Sequence, residues 1–160
     1  MLTHIRNFLS AAVLAVAVAV SAAAAARADG EDGIVRVKSA YPVAESIARL
    51  KRDIADKGIK FFHEIDQAKL AADAGIKLRP STLLVFGNPP LGTQFITANP
   101  TAGLDWPVRL LVTEDEKGEV WAVYTDFAYI ARRHGIKDRE AAFAMASTVI
   151  ASITSSLKAK

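Results

Sequence analysis

The chain has 160 residues, with 20 basic and 17 acidic side chains, three histidines and no cysteine. The nearly balanced charge argues against a general nucleic-acid binder, which needs a basic excess to neutralise phosphates. The lack of cysteine excludes disulfides, thiolate metal sites and a thiol nucleophile.

The first 28 residues have the pattern of a cleavable secretory signal peptide. Arg6 gives a positive start, the stretch Phe8–Val20 is almost wholly apolar, and Ala26-Arg27-Ala28 supplies the small residues that signal peptidase reads. We predict cleavage after Ala28, which leaves one domain over residues 29–160 in the periplasm, with no membrane segment. The alternative is a retained membrane anchor, because the apolar stretch approaches spanning length.

After the signal, the hydrophobic pattern alternates between strand and helix signals. Period-two alternation, or a continuous apolar run at 83–86, predicts strands over residues 34–41, 59–65, 83–86, 108–113 and 120–125. Apolar stripes, prolines, closing glycines and caps at Asp66, Asp126 and Asp138 predict helices over residues 42–57, 67–74, 92–98, 127–134 and 138–157. Helices before and after hairpin-linked strands indicate an α+β two-layer sandwich, a mostly antiparallel sheet with helices packed on one face.

Both faces of this predicted sheet carry apolar side chains. The alternation places Leu111, Trp121 and Val123 on the face opposite to Leu110, Val120 and Ala122. A face without helices would leave the first three side chains open, so we predict a homodimer through the sheet or its edge. The alternative is that the long segment 87–106 covers this face.

Several segments resemble one bacterial family. The run Gly58–Pro89, the sequence Leu104-Asp105-Trp106-Pro107, the hairpin Gly118–Tyr124 and the sequence Arg133-His134-Gly135 are similar to the family known as domain of unknown function 302. The resemblance implies a small sandwich with a TATA-binding-protein-like topology. It brings no established activity, and likeness in fold to a DNA binder is no evidence of DNA binding.

Four residues form the candidate ligand-contact set: His63, Asp66, Asn88 and Thr93. His63 lies on the predicted apolar strand face together with Ile59, Phe61 and Ile65, and an imidazole can change its charge near neutral pH. Asn88 and Thr93 lie in and after the loop that ends a buried strand, where ligands are commonly held. The structural alternative is that His63 is a core residue, Asp66 caps a helix and the loop only reverses the chain.

Asp105 and His134 receive structural interpretations from the sequence. Asp105 is predicted to fix the turn before Trp106-Pro107, although an acid beside an aromatic ring can also line a pocket. His134 comes at a helix end, where the helix dipole favours an imidazolium. The histidine spacing fits no metal site, so we predict neither a metal nor a cofactor.

The pattern is typical of a non-enzymatic periplasmic module that binds a small ligand or a protein partner. One alternative is a hydrolase or isomerase in which His63 and Asp66 act as base and orienting acid and Asn88 as hydrogen-bond donor. Another is a stress-linked, chaperone-like protein with broad, weak affinity for unfolded chains.

Overall fold

The computed structural model describes residues 32–159, so the predicted signal peptide at residues 1–28 lies outside the described part. Residues 32–159 form one antiparallel sheet of five strands in the order β1-β5-β4-β3-β2. The strands are β1 (Ile34–Lys38), β2 (Lys60–Asp66), β3 (Ser81–Gly87), β4 (Val108–Glu114) and β5 (Val120–Thr125). Among these residues we find no helix with the length and hydropathy needed to span a bilayer.

The helices form the second layer of the molecule. They are α1 (Val43–Asp56), α2 (Gln67–Asp73), α3 (Pro89–Ala98), α4 (Phe127–Arg133) and α5 (Glu140–Ser155). A short 3-10 helix over Pro100–Leu104 follows α3. The predicted α+β sandwich, with a mostly antiparallel sheet, is therefore confirmed.

The core lies between the helices and one face of the sheet, called the inner face. Leu84, Leu110, Val112 and Ala122 on this face are fully buried. The helices meet them with Leu50 and Ile54 of α1 and with the predicted stripe of α5, which is Phe143, Ala146, Ile150 and Ile153. Burial of each large side chain contributes about 1.5–3 kcal/mol. This interface is what holds the two layers together.

The opposite sheet face, called the outer face, carries the side chains predicted for it. Leu111 pairs with Val123 and lies beside Leu83, and all three are half-buried. The segment 87–106 does not cover them. Its helix α3 stacks Phe95 on Phe143 of α5 with ring centroids 4.1 Å apart, which places the segment in the helical layer. The interpretation that residues 87–106 cover the outer face is therefore wrong.

Aspartates begin two helices as the sequence predicts, but not the third. The Asp66 carboxylate accepts a hydrogen bond from the backbone of Lys69 at 2.8 Å, and Asp126 caps α4 in the same way. Asp138 does not cap α5. That helix begins at Glu140 without a side-chain cap, and the Asp138 carboxylate pairs with Arg139 at 2.5 Å. The predicted cap at Asp138 is wrong because the helix begins at Glu140, which puts Arg139 and not Asp138 at the N-cap position.

A bulge in β2 changes the faces of its side chains. Phe61 pairs with Phe86 on the inner face, whereas His63 pairs with Val85 on the outer face, and the register shifts between them. An extra residue in one strand reverses the alternation beyond it. The prediction that Phe61 and His63 share a face is therefore wrong, and His63 is exposed.

Candidate functional site

A cleft opens where β3 ends, between α3, α5 and the chain that enters β4. Its enclosed space is about 40 Å³, and the open mouth brings the whole hollow to about 380 Å³. Its walls are almost wholly apolar. The polar groups among the lining side chains are the amide of Asn88, at the start of α3, and the indole N–H of Trp106. The cleft wall includes Phe86, Leu91, Phe95, Trp106, Val149 and Ile150. Such a surface fits an apolar group better than a charged one.

Trp106 forms one wall of this cleft, and two glycines make room for it. A Cβ atom at Gly92 would lie 1.8 Å from Trp106 Nε1, and one at Gly87 would lie 3.0 Å from the same atom. The ring of Phe62 meets the indole edge-on, with centroids 6.1 Å apart. The glycines therefore serve close aromatic packing rather than an unusual turn, since neither has a positive φ angle.

Of the four predicted contact residues, Asn88 lines the cleft. Its side chain makes no capping hydrogen bond and is exposed, while its carbonyl accepts from Gly92 at 2.8 Å. Thr93 follows in α3, but its hydroxyl donates to the carbonyl of Pro89 at 2.7 Å. That hydroxyl is held by its own helix and is not among the residues lining the cleft.

His63 and Asp66 lie on β2, away from Asn88. His63 pairs with Val85, three residues before Asn88, and Asp66 pairs with Thr82, six residues before it. At about 3.3 Å per strand residue, these separations are roughly 10 and 20 Å along the sheet. Asp66 is occupied as the cap of α2. The structure thus does not bring the four predicted residues into one site.

A second constellation joins residues that are distant in the sequence. Asp105 and His134, with side chains only 3 and 4 % exposed, meet with 2.6 Å between Oδ2 and Nε2. The other ring nitrogen of His134 lies 3.0 Å from the hydroxyl oxygen of Thr101. An acid, an imidazole and a hydroxyl in a row are the components of a nucleophilic triad, so the proton positions decide what the group can do.

The hydrogen-bond partners determine those positions. The side-chain amide of Asn99 donates to the carbonyl oxygen of His134 at 2.8 Å, so its Oδ1 faces Thr101. The Thr101 hydroxyl lies 2.9 Å from that oxygen and must donate to it, because an amide oxygen only accepts. The Thr101 oxygen can then only accept from Nδ1 of His134. His134 is thus a donor, not a base, toward Thr101.

Two arginines complete the surroundings of Asp105. Its Oδ1 accepts from Arg109 Nη2 at 3.1 Å and from Arg133 Nη1 at 3.2 Å. Its Oδ2 lies 2.6 Å from Nε2 of His134, so both carboxyl oxygens of Asp105 are held. The arrangement ties the 3-10 helix to the end of α4 and gives the Thr101 hydroxyl no base.

From the sequence, Asp105 is interpreted as a turn residue and His134, separately, as a helix-end residue. They are 29 positions apart, and local patterns do not report such a contact. One signal was available: Leu104-Asp105-Trp106-Pro107 and Arg133-His134-Gly135 are two of the segments that carry the family resemblance. The fold brings these two segments together.

The fold and the site define a two-layer α+β domain with an aromatic-walled cleft. The chain belongs to the family described as "Domain of unknown function DUF302", which it matches over residues 35–158. Its structure is similar to the crystal structure of an uncharacterized conserved DUF302 protein from Bacillus stearothermophilus. The TM-score is 0.72 at 15% sequence identity, and the match covers 79% of this chain and 98% of that one. This likeness shows the fold, and the predicted family resemblance is confirmed.

Longer proteins contain a similar segment. Over 106 residues the chain is 39% identical to a Brucella suis biovar 1 protein named fluoride-specific ion channel FluC 1, which covers 66% of this chain and 42% of that protein. A Brucella abortus biovar 1 protein of the same name matches with 39% identity over 39% of its length. The chain spans about two fifths of the length of these curated relatives.

Proposed function

We propose that this chain is an exported, non-enzymatic module that binds a small apolar ligand in the cleft beside Trp106. The observation that carries the proposal is the composition of the cleft wall, which is apolar except at the indole and at Asn88 on its edge. An aromatic wall offers a large rigid surface to an apolar group, and a single amide at the mouth can fix its orientation.

The geometry supports binding over hydrolysis. In the alternative reaction, His63, Asp66 and Asn88 would act on one substrate, but their places along β2 and β3 hold them apart. The triad-like row at Thr101 lacks a base, because His134 donates to the threonine oxygen. A nucleophilic hydroxyl needs a base that accepts its proton.

Fluorescence of Trp106 tests ligand binding directly. The chain has two tryptophans, so Trp121→Phe leaves Trp106 as the single reporter. We expect neutral probes such as benzyl alcohol and 1-octanol to shift its emission with a saturable dependence on concentration. Val149→Phe, which narrows the cleft, should weaken this binding about tenfold. Met145→Phe is the matched control, since Met145 lies on the same helix with its side chain 59% exposed.

Equal affinities for the Val149 and Met145 variants would contradict the cleft as the binding site. A Trp106 emission that changes only linearly with probe concentration would contradict ligand binding in this cleft altogether.

Export to the periplasm is proposed from the residues at 1–28, whose pattern fits signal peptidase. Protein recovered from the periplasm should have the mass of a chain that begins at Asp29. Ala26→Phe should leave the longer form, because the peptidase accepts only small side chains at that position. A full-length mass for the natural sequence in a membrane fraction would support the anchored alternative.

A second copy of the chain is the proposed cover of the outer face. Leu83, Leu111 and Val123 form a half-buried apolar centre there. Sedimentation should show a dimer that Leu111→Glu dissociates, because a carboxylate cannot be buried without a partner. Leu70→Glu, at a residue 59% exposed on α2, should leave the dimer intact. A monomer at micromolar concentration would contradict this proposal.

The Brucella relatives favour a second candidate function. A segment similar to this chain is part of longer proteins named fluoride-specific ion channels. We propose that such a module works beside a channel as an accessory part that does not itself conduct. Fluoride efflux from vesicles holding the Brucella suis protein without its matching segment should change when this chain is added. An unchanged efflux rate would remove this candidate.

A further inference from the structure

We propose that Arg109 and Arg133 form a binding site for the oxyanion of a small molecule: a phosphate, sulfate or carboxylate group. Their guanidinium groups come from β4 and α4, yet both donate to the same oxygen, Oδ1 of Asp105, at 3.1 and 3.2 Å. Sharing one acceptor places the two cations side by side. Neither arginine lines the apolar cleft, although Val108 and Phe127 border both the cleft and the recess beside Arg109. The proposal does not depend on the function proposed for the cleft.

The charge of this group is not balanced. Within residues 32–159 the ion pairs of Arg109 and Arg133 are those with Asp105 alone. Two guanidinium groups thus share a single carboxylate. At least one positive charge is therefore left at this point of the surface, which favours an anion.

The arginines also keep hydrogen-bond donors for a ligand. A guanidinium has five N–H groups. In the described part of the chain, Arg109 uses Nη2, toward Asp105 and the carbonyl of Leu104, and Arg133 uses Nη1. Their side chains are 51% and 47% exposed, so solvent reaches them. The planar fork of a guanidinium matches the paired oxygens of an oxyanion.

The buried residues behind the two arginines hold them in place. Asp105 is fixed by His134, which in turn contacts Thr101, so the shared acceptor cannot swing away. A shallow recess beside Arg109 is open to solvent, with about 10 Å³ of enclosed space, and is lined by Asp105, Val108, Thr125, Phe127 and Ile130. Cations held in position lose less entropy when a ligand binds, which strengthens binding.

Titration of the exported protein with inorganic phosphate tests this site. We expect saturable changes of the arginine side-chain Nε–H signals of Arg109 and Arg133 in ¹H–¹⁵N NMR spectra. The double variant Arg109→Gln and Arg133→Gln should bind phosphate at least about tenfold more weakly, since each charge-assisted hydrogen bond is worth more than a tenfold change in affinity. Arg132→Gln, next in sequence and also exposed, is the matched control and should bind normally.

Further anions separate oxyanion recognition from simple screening. Sulfate and acetate at the same ionic strength should compete with phosphate, whereas chloride should not. Equal, non-saturating shifts with phosphate and chloride would overturn the proposal, as would unchanged affinity in the double variant. If that variant fails to fold, Arg109→Lys with Arg133→Lys keeps the charge and should still weaken binding, because an ammonium lacks the planar fork. Binding of 1-octanol in the cleft should be unaffected by phosphate.

Discussion

Trp106 lies against Gly92 so closely that a Cβ atom on the glycine would be 1.8 Å from the indole nitrogen. This contact connects α3 to the chain entering β4 and shapes one wall of the cleft. It also explains why a glycine lies inside a helix, where glycine lowers helix stability by about 1 kcal/mol relative to alanine.

Gly92→Ala is therefore expected to destabilise the protein although alanine favours helices. The added methyl group must displace the indole, and such overpacking costs about 1–3 kcal/mol. Gly103→Ala is the matched control, because the nearest atom to a Cβ there is 4.0 Å away, on Ile96. Urea unfolding measures both. Equal stabilities for the two variants would show that Trp106 moves aside without cost.

His134→Gln should be strongly destabilising. It removes the ring nitrogens that contact Asp105 Oδ2 and the Thr101 hydroxyl inside the protein, and a buried polar group left without its partner costs about 1–3 kcal/mol. His63→Gln is the control, since His63 is exposed and surface substitutions stay within about 0.5 kcal/mol. Thermal or urea unfolding gives both values. A His134 variant as stable as the His63 variant would contradict the structural role of the buried Asp105–His134 contact.

Asp115 should make stability depend on pH in acid. Its carboxylate accepts hydrogen bonds from the backbone of Glu119 and, at 2.9 Å, from Trp121 Nε1, and these bonds lower the pKa of the carboxyl group below its ordinary value of 3.8. A lowered pKa in the folded state means that this contribution is present above pH 3.8 and is lost as the pH falls through the lowered pKa.

The measurement is urea unfolding between pH 5 and about pH 2, followed by the combined tryptophan fluorescence. Asp115→Asn should flatten the acid part of the stability profile, while Glu116→Gln in the same turn, 86% exposed at its side chain, should keep the natural slope. An acid slope unchanged by Asp115→Asn would assign the effect to other carboxylates.

Tyr124 should make stability depend on pH in alkaline solution. Burial, and secondarily the charge of Asp126, raises the pKa of its phenol above the ordinary value of 10.0. A raised pKa in the folded state means that the contribution is complete below pH 10.0 and is lost as the pH rises through the raised pKa. Tyr124→Phe should remove this alkaline loss, whereas Tyr41→Phe should retain it. Unfolding curves from pH 8 to about pH 11 decide the outcome.

The secondary structure followed from the sequence because its causes are local. The α5 stripe from Phe143 to Ile153 and the Asp66 cap are set by spacing and by neighbouring backbone groups, and both are present in the structure. The end of α1 at Gly58, with φ of 63°, is similarly local. The errors at Asp138 and at the β2 bulge arose where the helix begins later than predicted and where an extra residue shifts the strand register.

The candidate site was predicted less well, because only Asn88 of its four residues lines the cleft. Proximity to a strand end was a correct local cue for Asn88. It could not show that His63 and Asp66 lie farther along β2, since that depends on the register with β3.

The sequence by itself determined the order of strands and helices and the two-layer class, because these depend on periodicity, caps and turn residues along the chain. The family followed from the resemblance of particular segments. Only the tertiary structure decided that Gly92 seats Trp106 and that Asp105 meets His134 from 29 residues away. Those contacts depend on how separate elements pack, and the energy of burying a charge or a ring is defined only once its distant neighbours are in place.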